Sequence, residues 1–152
     1  MTTEQNIATV KSTYEAFKRG DITAMLAIMN EDVSWITPGQ RELIPFAGQF
    51  KGRAAVAKCF ESLEASEVVL TFEPHEFVAE GDSVVAFVHY WAHAKATGKT
   101  YEGEGVHFFQ LRNGKVASFR EFFDPALAAS AHVAGYDVKA KSIDPIHCKF
   151  CN

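Results

Sequence analysis

The sequence predicts an α+β domain in which helices come first and an antiparallel sheet follows. Three observations predict it. Apolar residues recur at three-and-four spacing up to residue 65. They alternate at period two from residue 68 onward. Asn113-Gly114 stands between two long alternating runs, where it signals a two-residue hairpin turn.

Taken in order, Ile7, Val10, Tyr14 and Phe17 line one face of a first helix that ends at Gly20. Asp21 caps a second, short helix carrying Ile22, Met25, Leu26 and Met29. Val33-Ser34-Trp35-Ile36-Thr37 alternates and stops at Pro38-Gly39, a short strand running into a turn. The stretch 40–52 contains Pro45, Gly48 and Gly52 and reads as a loop. Val56, Cys59, Phe60 and Leu63 mark a third helix over 53–65. Val68, Leu70 and Phe72 then alternate, Phe77-Val78 carries the pattern past Pro74, and Gly81-Asp82 turns the chain. Three long strands follow over 83–95, 100–112 and 115–124, with a last short helix over 126–133. Residues 1–134 are expected to form one domain, and 135–152, poor in large apolar side chains, a loosely attached tail.

With 152 residues, 47% apolar and 22% charged, the chain has the composition of one globular domain with a full hydrophobic core. A net charge of −4 and the absence of any Lys/Arg cluster leave no electrostatic footprint for a nucleic-acid backbone. The polar start lacks a secretory pattern, the longest apolar run (84–88) is far short of a membrane span, and three cysteines close no disulfide set. The expectation is a cytoplasmic protein with neither nucleic-acid nor membrane partners. The thirteen phenylalanines are unusual, and they imply an aromatic core or an apolar cavity lined by rings.

Strand register puts names on the sheet faces. A two-residue turn at Asn113-Gly114 sets Phe108 opposite Phe119, Val106 opposite Glu121 and Glu104 opposite Phe123. A four-residue turn at 96–99 sets His93 opposite Glu102, Trp91 opposite Glu104, His89 opposite Val106 and Phe87 opposite Phe108. One face then holds Phe87, His89, Trp91, His93, Glu102, Glu104, Val106, Phe108, Phe119, Glu121 and Phe123. This aromatic face is expected to lie under the helices. Carboxylates among rings are costly to bury, so Glu104 and Glu121 there predict a hollow that water or a ligand enters. The other face carries Tyr90, Gly103, Gly105, His107, Phe109 and Arg120, with His107 opposite Arg120 as a dimer contact or structural pair.

Tyr14-Glu15-Ala16-Phe17 with Arg19-Gly20-Asp21, then Asp32-Val33-Ser34-Trp35 with Pro38-Gly39, then Gly52-Arg53 opening a helix, resembles the nuclear transport factor 2-like superfamily. The ending Gly114-Lys115-Val116 and Arg120-Glu121-Phe122-Phe123-Asp124 resembles its SnoaL-like, polyketide-cyclase-like branch. The resemblance spans about residues 1–133. It implies a cone-shaped roll, a strongly curved antiparallel sheet wrapped around three helices with an apolar pocket, and a homodimer through the sheet. Within the superfamily, Tyr14 matches the tyrosine of the steroid isomerases, while Thr37 and Val106 stand where their two aspartates are expected. The limonene-epoxide-hydrolase-like members need an inward arginine, and Arg120 is expected outside. Glu121 is similar in position to the acid on the last strand of the polyketide cyclases.

The catalytic candidates are therefore Glu121 as general acid/base, His89 as its proton-shuttling neighbour, and Tyr14 or Glu104 to polarise a ligand oxygen. Trp35, Thr37, Phe60, Phe87, Trp91, His93, Val106, Phe108, Phe119 and Phe123 are the expected ligand-binding wall. His89 and His93 share a strand face, but no third-ligand motif accompanies them, and neither metal nor cofactor is expected. Cys59 reads as inert core, and Cys148 and Cys151 with His147 as an accidental tail motif. The expected partner is a small apolar or amphipathic, carbonyl-bearing molecule, and the expected chemistry is cyclase- or isomerase-type proton transfer. The alternatives are a non-catalytic binding or accessory protein of the same fold, an epoxide-hydrolase-like activity, or a scaffold whose sheet mediates association.

Overall fold

The computed structural model describes residues 1–136. The expected tail and its cysteines lie almost wholly outside the described residues. The elements run α1 (Thr3–Lys18), α2 (Ile22–Ala27), β1 (Met29–Thr37), β2 (Gly48–Lys51), α3 (Arg53–Ser66), β3 (Glu67–Glu80), β4 (Ser83–Ala94), β5 (Thr100–Arg112), β6 (Lys115–Phe122) and α4 (Pro125–His132). Six strands form one sheet in the order β2-β1-β6-β5-β4-β3, antiparallel except where β1 lies parallel to β6. The sheet is curved and unclosed, and the N-terminal helices fill its hollow. None of the helices among the described residues is long and apolar enough to cross a membrane.

Local chemistry sets the helix ends. Thr2 and Gln5 form a capping box at the start of α1, and the Asp21 and Asp124 carboxylates cap α2 and α4. Asn6 is fully buried and donates from Nδ2 to the carbonyl of Gly81 at 3.0 Å, which pins α1 to the β3–β4 turn and sets the height of Tyr14 above the sheet.

The structure departs from the sequence reading at two strands, β2 and β1, and bears it out at a third, β3. Residues 48–51 of the expected loop form β2, paired to β1 from Ser34↔Lys51 to Thr37↔Gly48. Strand β1 begins at Met29 rather than Val33. Strand β3 runs unbroken through Pro74, because it is a sheet edge and its missing N–H has no ladder partner to fail. Its register slips between Val69 and Thr71 and between Pro74 and Glu76, bulges that bend it.

The face assignment is corrected. Strand β4 ends at Ala94, which lengthens its turn and sets His93 opposite Thr100, a shift of two that leaves the sharing of faces intact. The face under the helices is the opposite one: Val84, Ala86, Val88, Tyr90, Ala92 and Ala94 on β4, with Tyr101, Gly105, His107, Phe109 and Leu111 on β5. A concave face crowds its side chains, so alanine and glycine go inside and Phe87, Trp91 and Phe108 outside. At Gly105 a Cβ would approach the carbonyl oxygen of Phe122 to 3.0 Å.

At the Asn113-Gly114 turn both residues have positive φ (54° and 73°), and Arg112 and Leu111 face Lys115 and Val116 as expected. Ala117 is then unpaired. Beyond it Gln110 faces Ser118, Phe109 faces Phe119 and His107 faces Glu121. This bulge turns Phe119 and Glu121 to the covered face and leaves Arg120 exposed.

Deleting Ala117 is expected to close the bulge into a regular ladder, with Val116 opposite Leu111 and Ser118 next to it opposite Gln110, so that Phe119 and Glu121 stay on the covered face and Arg120 stays exposed. An inverted strand would instead bury the unpaired Arg120 guanidinium, which costs several kcal/mol against a total stability of about 5–15 kcal/mol. Urea titration followed by circular dichroism should show a cooperative transition close to that of the parent protein, and a transition lost or moved to far lower denaturant would refute this account of the bulge.

Candidate functional site

A cavity of about 90 Å³ opens inside the curve of the sheet. It has room for several waters, and it is of the same order as the roughly 150 Å³ void known to accept benzene. Its wall is mostly aromatic. Trp35 stacks on Phe119 with ring centres 3.8 Å apart, and Phe60 meets Trp35 edge-on at 5.4 Å. Tyr14, Phe72, Phe109 and Phe119 surround the His107 ring, with Tyr14 nearly coplanar to it at 5.8 Å.

Polar groups enter this wall in two sets. In the first, the Tyr14 hydroxyl lies 2.7 Å from Nδ1 of His107, and Nε2 of His107 lies 3.3 Å from Oε1 of Glu121. The His107 side chain is 5% exposed and that of Glu121 17%. Burial, and then the negative charge of Glu121, holds the Tyr14 hydroxyl far above the ordinary tyrosine range. Tyr14 therefore stays protonated, and since a carboxylate only accepts, the arrangement that satisfies both contacts has the ring proton on Nε2, facing Glu121, and the Tyr14 hydroxyl donating to Nδ1. The result is a chain of directed hydrogen bonds from α1 through β5 to β6.

In the second set, Glu67 accepts at Oε2 from the Tyr101 hydroxyl (2.6 Å) and pairs there with Nε2 of His132 on α4 (3.0 Å). Burial, then the Glu67 charge, pushes the Tyr101 hydroxyl strongly up. The Tyr90 hydroxyl is raised to about 12 by burial, then by the charges of Glu121, Asp124 and Glu67. Cys59 also lines the cavity and donates toward the carbonyl of Phe46 at 3.5 Å. Burial lifts its thiol to about 12, with the Glu121 charge as a second cause, so it is no nucleophile at neutral pH.

Of the residues expected at the site, Tyr14, Trp35, Thr37, Phe60, Phe119, Glu121 and Phe123 line the cavity. The other seven do not. His89, Glu104, Phe87, Trp91, His93, Val106 and Phe108 stand on the convex face, because the covered face of β4 and β5 is the other one. There His89 pairs with Glu102 at 2.7 Å, and Glu104, 76% exposed, lies 4.0 Å from His75. The neighbour of Glu121 is His107, which sequence reasoning had set outside opposite Arg120. Arg120 itself is exposed and lies over the ring of Phe122. A signal for His107 was present: the alternate set of β4, Val84-Ala86-Val88-Tyr90-Ala92-Ala94, carries no acid or base, whereas its partner set carries two histidines. Glu67 had no such signal, since it sits at the join of α3 and β3. Among the described residues no cluster of histidine, cysteine, aspartate and glutamate is placed to hold a metal ion.

The family model of the SnoaL-like domain matches residues 10–119. The structure superposes on an NTF2-like protein from Burkholderia xenovorans LB400 with a TM-score of 0.79 at 34% identity, covering 88% of this chain and 99% of that one. It superposes on TerC co-crystallised with polyporic acid with a TM-score of 0.71 at 26% identity, covering 79% and 92%. In sequence it is 27% identical over 132 residues to the uncharacterised protein Rv0034 of Mycobacterium tuberculosis, covering 86% of this chain and 98% of that protein. The match over most of the chain, joined to the curved sheet and its aromatic hollow, establishes that this chain belongs to the SnoaL-like domain family, with the NTF2-like fold.

Proposed function

We propose that this chain binds a small, mostly apolar, carbonyl-bearing molecule in the cavity and moves a proton on it, with Glu121 as acid and base. The Tyr14–His107–Glu121 chain carries this reading, because it ends on a carboxylate inside an aromatic hollow. His107 holds Oε1, leaving Oε2 to take a proton from the carbon beside the ligand's carbonyl. The C–H electron pair moves into the enolate, and the aromatic wall keeps competing water away. Glu121 then returns the proton to another carbon, an isomerisation. In a cyclisation the carbanion attacks a second carbonyl of the same ligand, whose oxygen receives the proton. Neither step needs an oxidant or a cofactor. Tyr14 and His107 are positioning residues, since each acts through the next. Similarity to TerC, crystallised with polyporic acid, supports a small-molecule ligand for this fold.

The proposal extends to self-association through the convex face. Trp91 is 43% and Phe122 47% exposed there, beside Val68 and Val78 and the half-buried Phe87 and Phe108. So many large apolar side chains left exposed on one sheet face support its reading as a surface for association.

Acetophenone, a one-ring ketone, tests the chemistry. In heavy water the protein is expected to speed exchange of its methyl protons, followed by NMR. Glu121→Gln should lower that rate by about 100-fold or more while leaving the Kd for acetophenone within a factor of about two. Unchanged exchange in the variant removes Glu121 from the mechanism, and binding with no exchange by the parent protein would make it a binding protein.

Alkaline stability tests the tyrosines. Their folded-state values lie above the unfolded value of about 10, so the stabilisation is full below about pH 10 and is lost as pH rises through the folded values. The urea midpoint should fall between about pH 10 and about pH 12, and more gently in Tyr90→Phe. A midpoint flat across that range would contradict the burial of these hydroxyls.

For association, sedimentation velocity should give a dimer that Trp91→Glu together with Phe122→Ser converts to monomer. A monomeric parent protein would end that part of the proposal.

A further inference from the structure

We propose that the cavity has a second polar pole, at Glu67 and Tyr90, which recognises a hydroxyl group on the ligand. This rests on the reading of the cavity as a ligand site and adds to it a class of ligand: a hydroxylated ring ketone or aldehyde.

Glu67 lines the cavity with its side chain 5% exposed, and both of its hydrogen bonds fall on Oε2. Those two bonds have a structural role, tying β3 to β5 and to α4. Oε1 has no hydrogen-bond partner among the described residues. On the same wall, the Tyr90 ring meets the Tyr101 ring edge-on at 5.8 Å, and the Tyr90 hydroxyl is buried with no hydrogen-bond partner among the described residues. A Cβ at Gly103 would lie 2.6 Å from that hydroxyl, so the glycine opposite it is what leaves room for it. A buried polar group left without a hydrogen bond, as the Tyr90 hydroxyl is among the described residues, costs about 1–3 kcal/mol. The wall of the cavity thus includes an acceptor oxygen and a donor hydroxyl that the described residues leave unused.

Ligand groups answer that pair unequally. A hydroxyl donates to a carboxylate and accepts from a phenol, so it serves either or both. A ligand carboxylate would be repelled by Glu67, an ammonium group leaves Tyr90 unmatched, and a plain hydrocarbon leaves both unmatched. A site built to hydrogen-bond an oxygen discriminates strongly against the analogue lacking it.

The three positional isomers of hydroxyacetophenone, set against acetophenone itself, make the test. Calorimetry on the parent protein is expected to show one isomer, the one whose hydroxyl reaches the second pole, bound about ten-fold tighter than acetophenone. The quantity read in variants is the ratio of the two Kd values. Tyr90→Phe removes only an unpartnered oxygen, so the protein should fold, and its melting temperature without ligand should be equal to or above that of the parent. Its ratio should fall toward one, and so should that of Glu67→Gln. No isomer binding tighter than acetophenone, or a ratio that survives in both variants, overturns the second pole and leaves the proton-transfer reading standing. Failure of acetophenone and all three isomers to bind at millimolar concentration overturns both.

Discussion

Ala117 is left unpaired between Val116, which faces Leu111, and Ser118, which faces Gln110. That single extra residue decides what the cavity contains. Before it, the inward residues of β6 follow the parity of Val116; after it, they follow that of Phe119 and Glu121. Glu121 comes to face His107, Phe119 comes to stack on Trp35, and Arg120 goes to solvent. The hydrogen-bonded chain, the aromatic wall and the sign of the charge in the hollow all depend on this one slip in the ladder.

The hydrogen bonds made to the two carboxyl groups of the hollow all come from donors. Glu121 has the His107 N–H, and Glu67 has the Tyr101 hydroxyl and His132. The tyrosines cannot respond by ionising, because burial and those same carboxylates push their hydroxyls up. Protons in the site are therefore held by groups with settled roles, and the unshared oxygens of the two glutamates stand out. The arrangement is directional: α1 supplies the donor that sets the His107 tautomer, and the sheet supplies the ring and the acid.

Curvature explains the remaining distribution of side chains. Bending a sheet around helices leaves little volume on its concave side, which Ala86, Ala92, Ala94, Gly103 and Gly105 suit. The displaced bulk appears on the convex side as Phe87, Trp91, Phe108 and Phe122, an apolar surface the monomer leaves exposed. The SnoaL-like family match and the NTF2-like superpositions agree with this geometry over most of the chain. They leave the chemistry to the particular residues that the hollow presents.

By itself the sequence determined the order of elements apart from β2, the Asn113-Gly114 turn, the packing role of Tyr14 on the first helix and the grouping of β4 with β5 side chains by face. Each of these follows from periodicity or turn chemistry, which act over a few residues. It pointed to Glu121 inside the hollow through two errors that cancelled: the covered face of β4 and β5 was taken as the wrong one, and the bulge that inverts β6 was not foreseen. His89 and Glu104 fell away with the first error, and His107 took their place. Only the tertiary structure decided which face is concave, because that depends on the summed volume of side chains on each side of a bent sheet. Only it could seat Glu67 beside Tyr101 and His132, 34 and 65 residues away, since no local pattern carries a contact made by the closing of the whole sheet.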